Sequence, residues 1–110
     1  MTGQNSMIKT KVYVSKRSIL AGEPEKCASC PVALAIRKTL KLDKNVKMDV
    51  GYNGVVIIDE ISDLLYKGKL PTRVALFIRR FDSIASLYGK RVFKKNFRAF
   101  SFYLELEEPK

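Results

Sequence analysis

The chain has 110 residues, 46% hydrophobic and 29% charged, which is enough for one domain with one core and too short for two. Its 21 Lys and Arg against 11 Asp and Glu give a formal net charge of +10, with 2 Cys and no His. That composition excludes a disordered chain and the hydrolase mechanisms that need an imidazole, and no run approaches the roughly 20 apolar residues of a membrane helix.

Residues 1–7 read as a flexible leader, without the basic and apolar regions of a signal peptide, so a cytoplasmic protein with no membrane partner is expected. Ile8, Thr10, Val12 and Val14 alternate with Lys9, Lys11 and Tyr13, which predicts a strand with one buried face and one basic-aromatic face. Ala21 to Glu25 is turn chemistry. Cys30-Pro31 then opens a helix whose buried stripe is Val32, Ala35, Ile36 and Leu40, with Arg37, Lys38 and Lys41 near its C-terminus.

Val46, Met48 and Val50, the turn Gly51 to Gly54, and Val55 to Ile58 predict a hairpin whose second strand is central. A short edge strand is expected from Leu64 to Leu70, broken by Gly68 and closed by Pro71. Val74, Phe77, Ile78, Phe81 and Ala85 share one face of a helix that starts at Thr72, and Gly89 stops any extension past Tyr88. Phe100, Phe102, Leu104 and Leu106 alternate with Ser101, Tyr103 and Glu105 as a last strand. The expected fold is a single α+β domain over residues 8–107 with a tail at 108–110. It has an antiparallel or mixed sheet of four to five strands and two helices, in the order β-α-β-β-(β)-α-β.

Cys27-Ala-Ser-Cys30 is the first pattern with chemical content. A zinc site normally takes four ligands, so one chain cannot complete it, and Cys27 and Cys30 can serve only in a site shared between two subunits. A redox pair would place its first Cys at the helix start, whereas Pro31 starts the helix after the second. The favoured reading is Cys30 as a small buried cap and Cys27 as a loop thiol. Asp59, Glu60 and Asp63 would hold Mg²⁺ only if they converged in a pocket, and an acidic run after a strand is usually a solvated turn. Gly51 and Gly54 bracket a hairpin rather than open a phosphate-binding helix. A protein without enzymatic activity and without a cofactor is expected.

Charge is the sharpest signal. Eight cations lie between Arg73 and Arg98 against one acid, Asp82. Within that stretch Lys90, Arg91, Lys94, Lys95 and Arg98 are interleaved with aromatic residues, the combination that meets phosphates with charge and bases with stacking. Arg79, Lys9 and Lys11 extend the candidate anion-binding set, and Tyr13 and Tyr103 form a stacking platform if their strands are neighbours. The competing reading packs Val92, Phe93 and Phe97 inward and leaves the cations as a solvated rim.

Cys30-Pro-Val-Ala-Leu-Ala-Ile-Arg37, Phe77-Ile-Arg-Arg-Phe-Asp82 and Phe100-Ser-Phe102 together resemble a set of small uncharacterised bacteriophage proteins, across most of residues 8–106. The chain departs from that pattern in the basic stretch after Asp82 and in Ala99, where a proline is expected. The resemblance implies context rather than activity: a phage-encoded accessory protein in a bacterial host cytoplasm. Two functions stand open at this point. One is a nucleic-acid-binding module. The other is an inhibitor that docks on an acidic host protein or captures an anionic signal nucleotide. Pairing of a terminal strand at a sheet edge would make a homodimer.

Overall fold

A computed structural model describes residues 7–23, 28–43, 45–52, 54–61, 63–88 and 97–107. The alternating segments near the two ends become neighbouring strands, β1 (Met7–Val14) and β5 (Phe100–Glu107), paired antiparallel along their whole length from Met7↔Glu107 to Val14↔Phe100. Between them in sequence lie β2 (Val46–Val50), β3 (Gly54–Asp59) and β4 (Leu64–Lys69), an antiparallel meander. All five join in one antiparallel sheet of order β1-β5-β4-β3-β2. The α+β class and the hairpin at Gly51 to Gly54 hold, the latter closed by Gly51 N–H donating to the Gly54 carbonyl at 2.8 Å.

Three helices accompany the sheet where two were expected. The additional one, α1 (Lys16–Ala21), is only six residues long and too short to show periodicity. It exists because Ser15 caps it, its Oγ accepting the Ser18 N–H at 3.1 Å, and because Ile19 is fully buried. Gly22 ends it so close to Pro31 that a Cβ there would stand 2.5 Å from the proline ring. This contact folds α1 back onto α2 (Pro31–Leu40). Cys30 is the N-cap of α2: it is buried, and its Sγ accepts the Ala33 N–H at 3.4 Å. Lys41 closes α2 in the left-handed region at φ 54°, and the Arg37 fork reaches two carbonyls beyond it, of Asp43 and Val46, both at 2.9 Å.

One sheet face and the helices enclose a single core. It contains Val12, Val14, Phe102 and Leu104 from β1 and β5, Met48, Val50, Val55 and Ile57 from β2 and β3, and Val32 and Ile36 from α2. Burial of each such side chain contributes about 1.5–3 kcal/mol. The expected inner residues Ile8 and Leu40 are only partly covered, because at that end the core opens into a cavity of about 260 Å³ bordered by Ile8, Leu40, Leu42, Ile57, Tyr66 and Leu106.

The expected edge strand lies inside the sheet, between β3 and β5, and Gly68 does not break it. A Cβ on Gly68 would sit 2.8 Å from both Leu106 Cδ2 and Val55 Cγ1, so glycine is what lets the strand enter there. β4 pairs β5 only from Lys67↔Glu107 to Lys69↔Glu105. The chain then turns at Pro71 into α3 (Thr72–Tyr88), which binds the part of β5 that β4 leaves unpaired: Arg73 Nη2 donates to the Ser101 carbonyl at 2.7 Å. Val74, Ile78 and Phe81 of α3 are buried as its spacing predicts, and Phe77 lies 4.7 Å from Phe100, ring centre to ring centre. The side chain of Ala85 and the residues from Gly89 to 96 lie outside the described residues, as do the leader through residue 6, the turn from Pro24 through Cys27, and the tail. No described helix is long and apolar enough to cross a membrane.

Candidate nucleic-acid interface

In the β1/β5 pair the side chains at odd numbers point away from the core. Lys9, Lys11 and Tyr13 therefore share one exposed face with Ser101, Tyr103, Glu105 and Glu107. The register sets Lys11 opposite Tyr103 and Tyr13 opposite Ser101, so the two tyrosines are diagonal neighbours, about 7–8 Å apart along the backbone. Both residues are exposed, 60% for Tyr13 and 52% for Tyr103. The Lys9 ammonium stands 5.3 Å from the centre of the Tyr103 ring. The adjacency that the platform required is present.

The face is polarised along the strands. At one end Glu105 lies in register between Lys9 and Lys69, and Glu107 stands opposite Lys67, so acids and bases offset each other. At the other end Tyr103, Lys11, Tyr13 and Ser101 carry no acid among them, and Arg98 projects into solvent from the approach to β5. Two exposed rings flanked by cations are chemically suited to an anion that also has flat apolar surfaces, the combination a nucleotide presents.

Phe97 anchors this end. It is buried against Phe77 and Phe81, with ring centres at 5.3 and 5.4 Å, so the inward packing considered for Phe97 is the observed one. Its carbonyl accepts the Lys16 ammonium at 2.6 Å, and the Arg80 guanidinium stands 6.0 Å from its ring centre. Lys16, Arg80 and Arg98 thus surround one residue. Sequence reasoning singled out only the last of these, because the other two come from helices whose approach to Phe97 is a long-range contact. Lys90, Arg91, Lys94 and Lys95, with Val92 and Phe93, lie outside the described residues, whose nearest members on either side are Tyr88 and Phe97.

Arg79 belongs elsewhere. Its guanidinium lies 5.6 Å over the ring of Tyr52, in the turn after β2 at the sheet edge opposite β1, and Tyr52 Oη donates to Asp82 Oδ2 at 3.4 Å. The acidic run is a turn: Asp59 Oδ1 accepts the Ile61 N–H at 3.1 Å, Glu60 pairs with Lys47 at 3.3 Å, and Asp63 has φ 57°. Cys27 lies outside the described residues, so the shared metal site has only Cys30 placed, and that sulfur is committed to its helix cap. No protein-family model matches the chain, no curated protein matches its sequence, and no solved structure matches its fold.

Proposed function

We propose that this chain is a non-enzymatic binding module for nucleic acid. Its interface is the outer face of β1 and β5 at the Tyr13 end, with Lys9, Lys11, Tyr103 and Arg98, and Lys90, Arg91, Lys94 and Lys95 are assigned to the same function from the sequence. The observation that carries the reading is the meeting of two exposed tyrosines and two lysines on one solvent face of neighbouring strands. The net charge of +10 supports it, since phosphate neutralisation supplies most of the affinity of such proteins.

The test is fluorescence anisotropy with labelled oligonucleotides at about 50 and about 200 mM salt, a range over which phosphate-driven affinity falls steeply. Lys9→Glu with Lys11→Glu should weaken binding severely, and so should Lys94→Glu with Lys95→Glu. Unchanged affinity in the first variant removes the sheet face from the interface. No binding by the parent protein at the lower salt redirects the search to an acidic protein surface.

A further inference from the structure

We infer that the nucleic acid taken by this face is single-stranded, and that Tyr13 and Tyr103 each stack on one unpaired base. The inference rests on the proposed nucleic-acid function and narrows it to a class of ligand. Tyr13 and Tyr103 are the exposed aromatic residues of the β1/β5 pair, and each stands on a strand rather than on a loop, so the backbone beneath each ring is held by the register from Met7↔Glu107 to Val14↔Phe100. Both residues are exposed, and the Lys9 ammonium 5.3 Å from the Tyr103 ring centre sets a cation beside that ring. A duplex offers such rings no free π-face, because its base faces are already covered by their neighbours, whereas an unpaired strand presents one face per nucleotide.

The charge layout supports the same choice. A duplex needs a broad cationic surface, and among the described residues the far end of this face is charge-balanced instead, with Glu105 between Lys9 and Lys69 and Glu107 opposite Lys67. The acid-free end is short and leads along β5 toward Arg98, with Lys16 and Arg80 gathered at Phe97 behind it. A strand laid there has two bases on the rings and its phosphates beside Lys11 and Arg98. Lys9, held over the Tyr103 ring, adds a cation to the same stack. Because stacking accepts any base, the strand is bound with little sequence preference.

The chain has 5 Tyr and no Trp, so its intrinsic fluorescence is tyrosine emission, and the part of any quenching that is lost in the Tyr13→Ala and Tyr103→Ala variants reports stacking on these two rings. The experiment titrates the full chain with 12-mers of dT and of U, and with a duplex of the same length, following both tyrosine emission and anisotropy of the labelled strand. The expected result is tighter binding of either single strand than of the duplex, with quenching. Tyr13→Ala and Tyr103→Ala should each weaken single-strand binding by about 5- to 150-fold while Tyr→Phe at either position restores it. Both side chains are exposed, so thermal melts of these variants should match the parent, which separates loss of stacking from loss of fold.

Failure of this inference and failure of the underlying function give different results. Equal affinity for duplex and single strand, or alanine variants that bind single strands as the parent does, overturns the single-strand assignment while the nucleic-acid reading stands. Absence of binding to all three probes overturns both. A preference between the dT and U strands, which differ in both the sugar 2′-OH and the base 5-methyl group, leaves the stacking assignment supported.

Discussion

Arg73 and Ser101 fasten the longest described helix to the last strand, the guanidinium donating to a carbonyl that β4, with its three paired positions, does not reach. The contact does for β5 what a sheet neighbour would otherwise do, supplying a donor for a backbone acceptor. Replacing Arg73 by Ala should lower unfolding stability by about 1 kcal/mol in urea titrations, the ordinary worth of a hydrogen bond to an exposed charged group. Amide exchange along residues 100–104 should quicken in the same variant.

Gly68→Ala tests the entry of β4. The added methyl meets Leu106, Val55 and the Glu105 carbonyl at 2.8, 2.8 and 3.1 Å, and the first two are core side chains with little room to retreat. Overpacking of this kind costs about 1–3 kcal/mol, and a fall in thermal midpoint is the expected readout.

Cys30 caps α2 through sulfur, a weak acceptor. Cys30→Ala should destabilise the protein by about 0.5–2 kcal/mol, whereas Cys30→Ser keeps an acceptor in place and should cost clearly less. A serine variant as unstable as the alanine one would show that burial of the thiol, and not its hydrogen bond, holds the position.

Lys41 adopts φ 54° without being glycine. Lys41→Gly relieves that conformation at a helix end where glycine is the common residue, and should raise stability by about 0.5–1 kcal/mol in equilibrium unfolding.

On the proposed binding face, Lys11→Ala and Arg98→Ala should each reduce the slope of log affinity against log salt by about 0.7 for a single-stranded ligand. Glu105→Gln, which removes an acid from between Lys9 and Lys69, should move affinity the other way. Anisotropy titrations at four salt concentrations measure both effects.

Periodicity alone located β1, β2, β3, β5, α2 and α3, because in each of them a long-enough apolar pattern coincides with a punctuating residue such as Pro31 or the Gly51 to Gly54 turn. It missed α1, whose six residues contain less than two turns, and it put β4 at an edge because Gly68 resembles a break when its crowded surroundings are unknown. The tyrosine platform was half legible. Alternation told which way Tyr13 and Tyr103 face, but which strands adjoin is decided by pairing between the two ends of the domain, and no local pattern encodes that. The gathering of Lys16 and Arg80 escaped for the same reason: only the packed position of Phe97 brings them together.

The last described strand in the sequence is an interior one, lying between the first described strand and the meander. Until it emerges, β1 has no described strand to receive its backbone hydrogen bonds, and the two parts of the sheet have nothing to join them except helices. Maturation of a nascent chain therefore waits on residues 100–107, and closing so long a loop places the fold among slowly assembling topologies. The proposed ligand surface forms in that same step, since its two tyrosines come from the first and the last described strands. A chain stalled or clipped before Phe100 lacks Tyr103, the strand that pairs with β1, and the seam that unites the sheet.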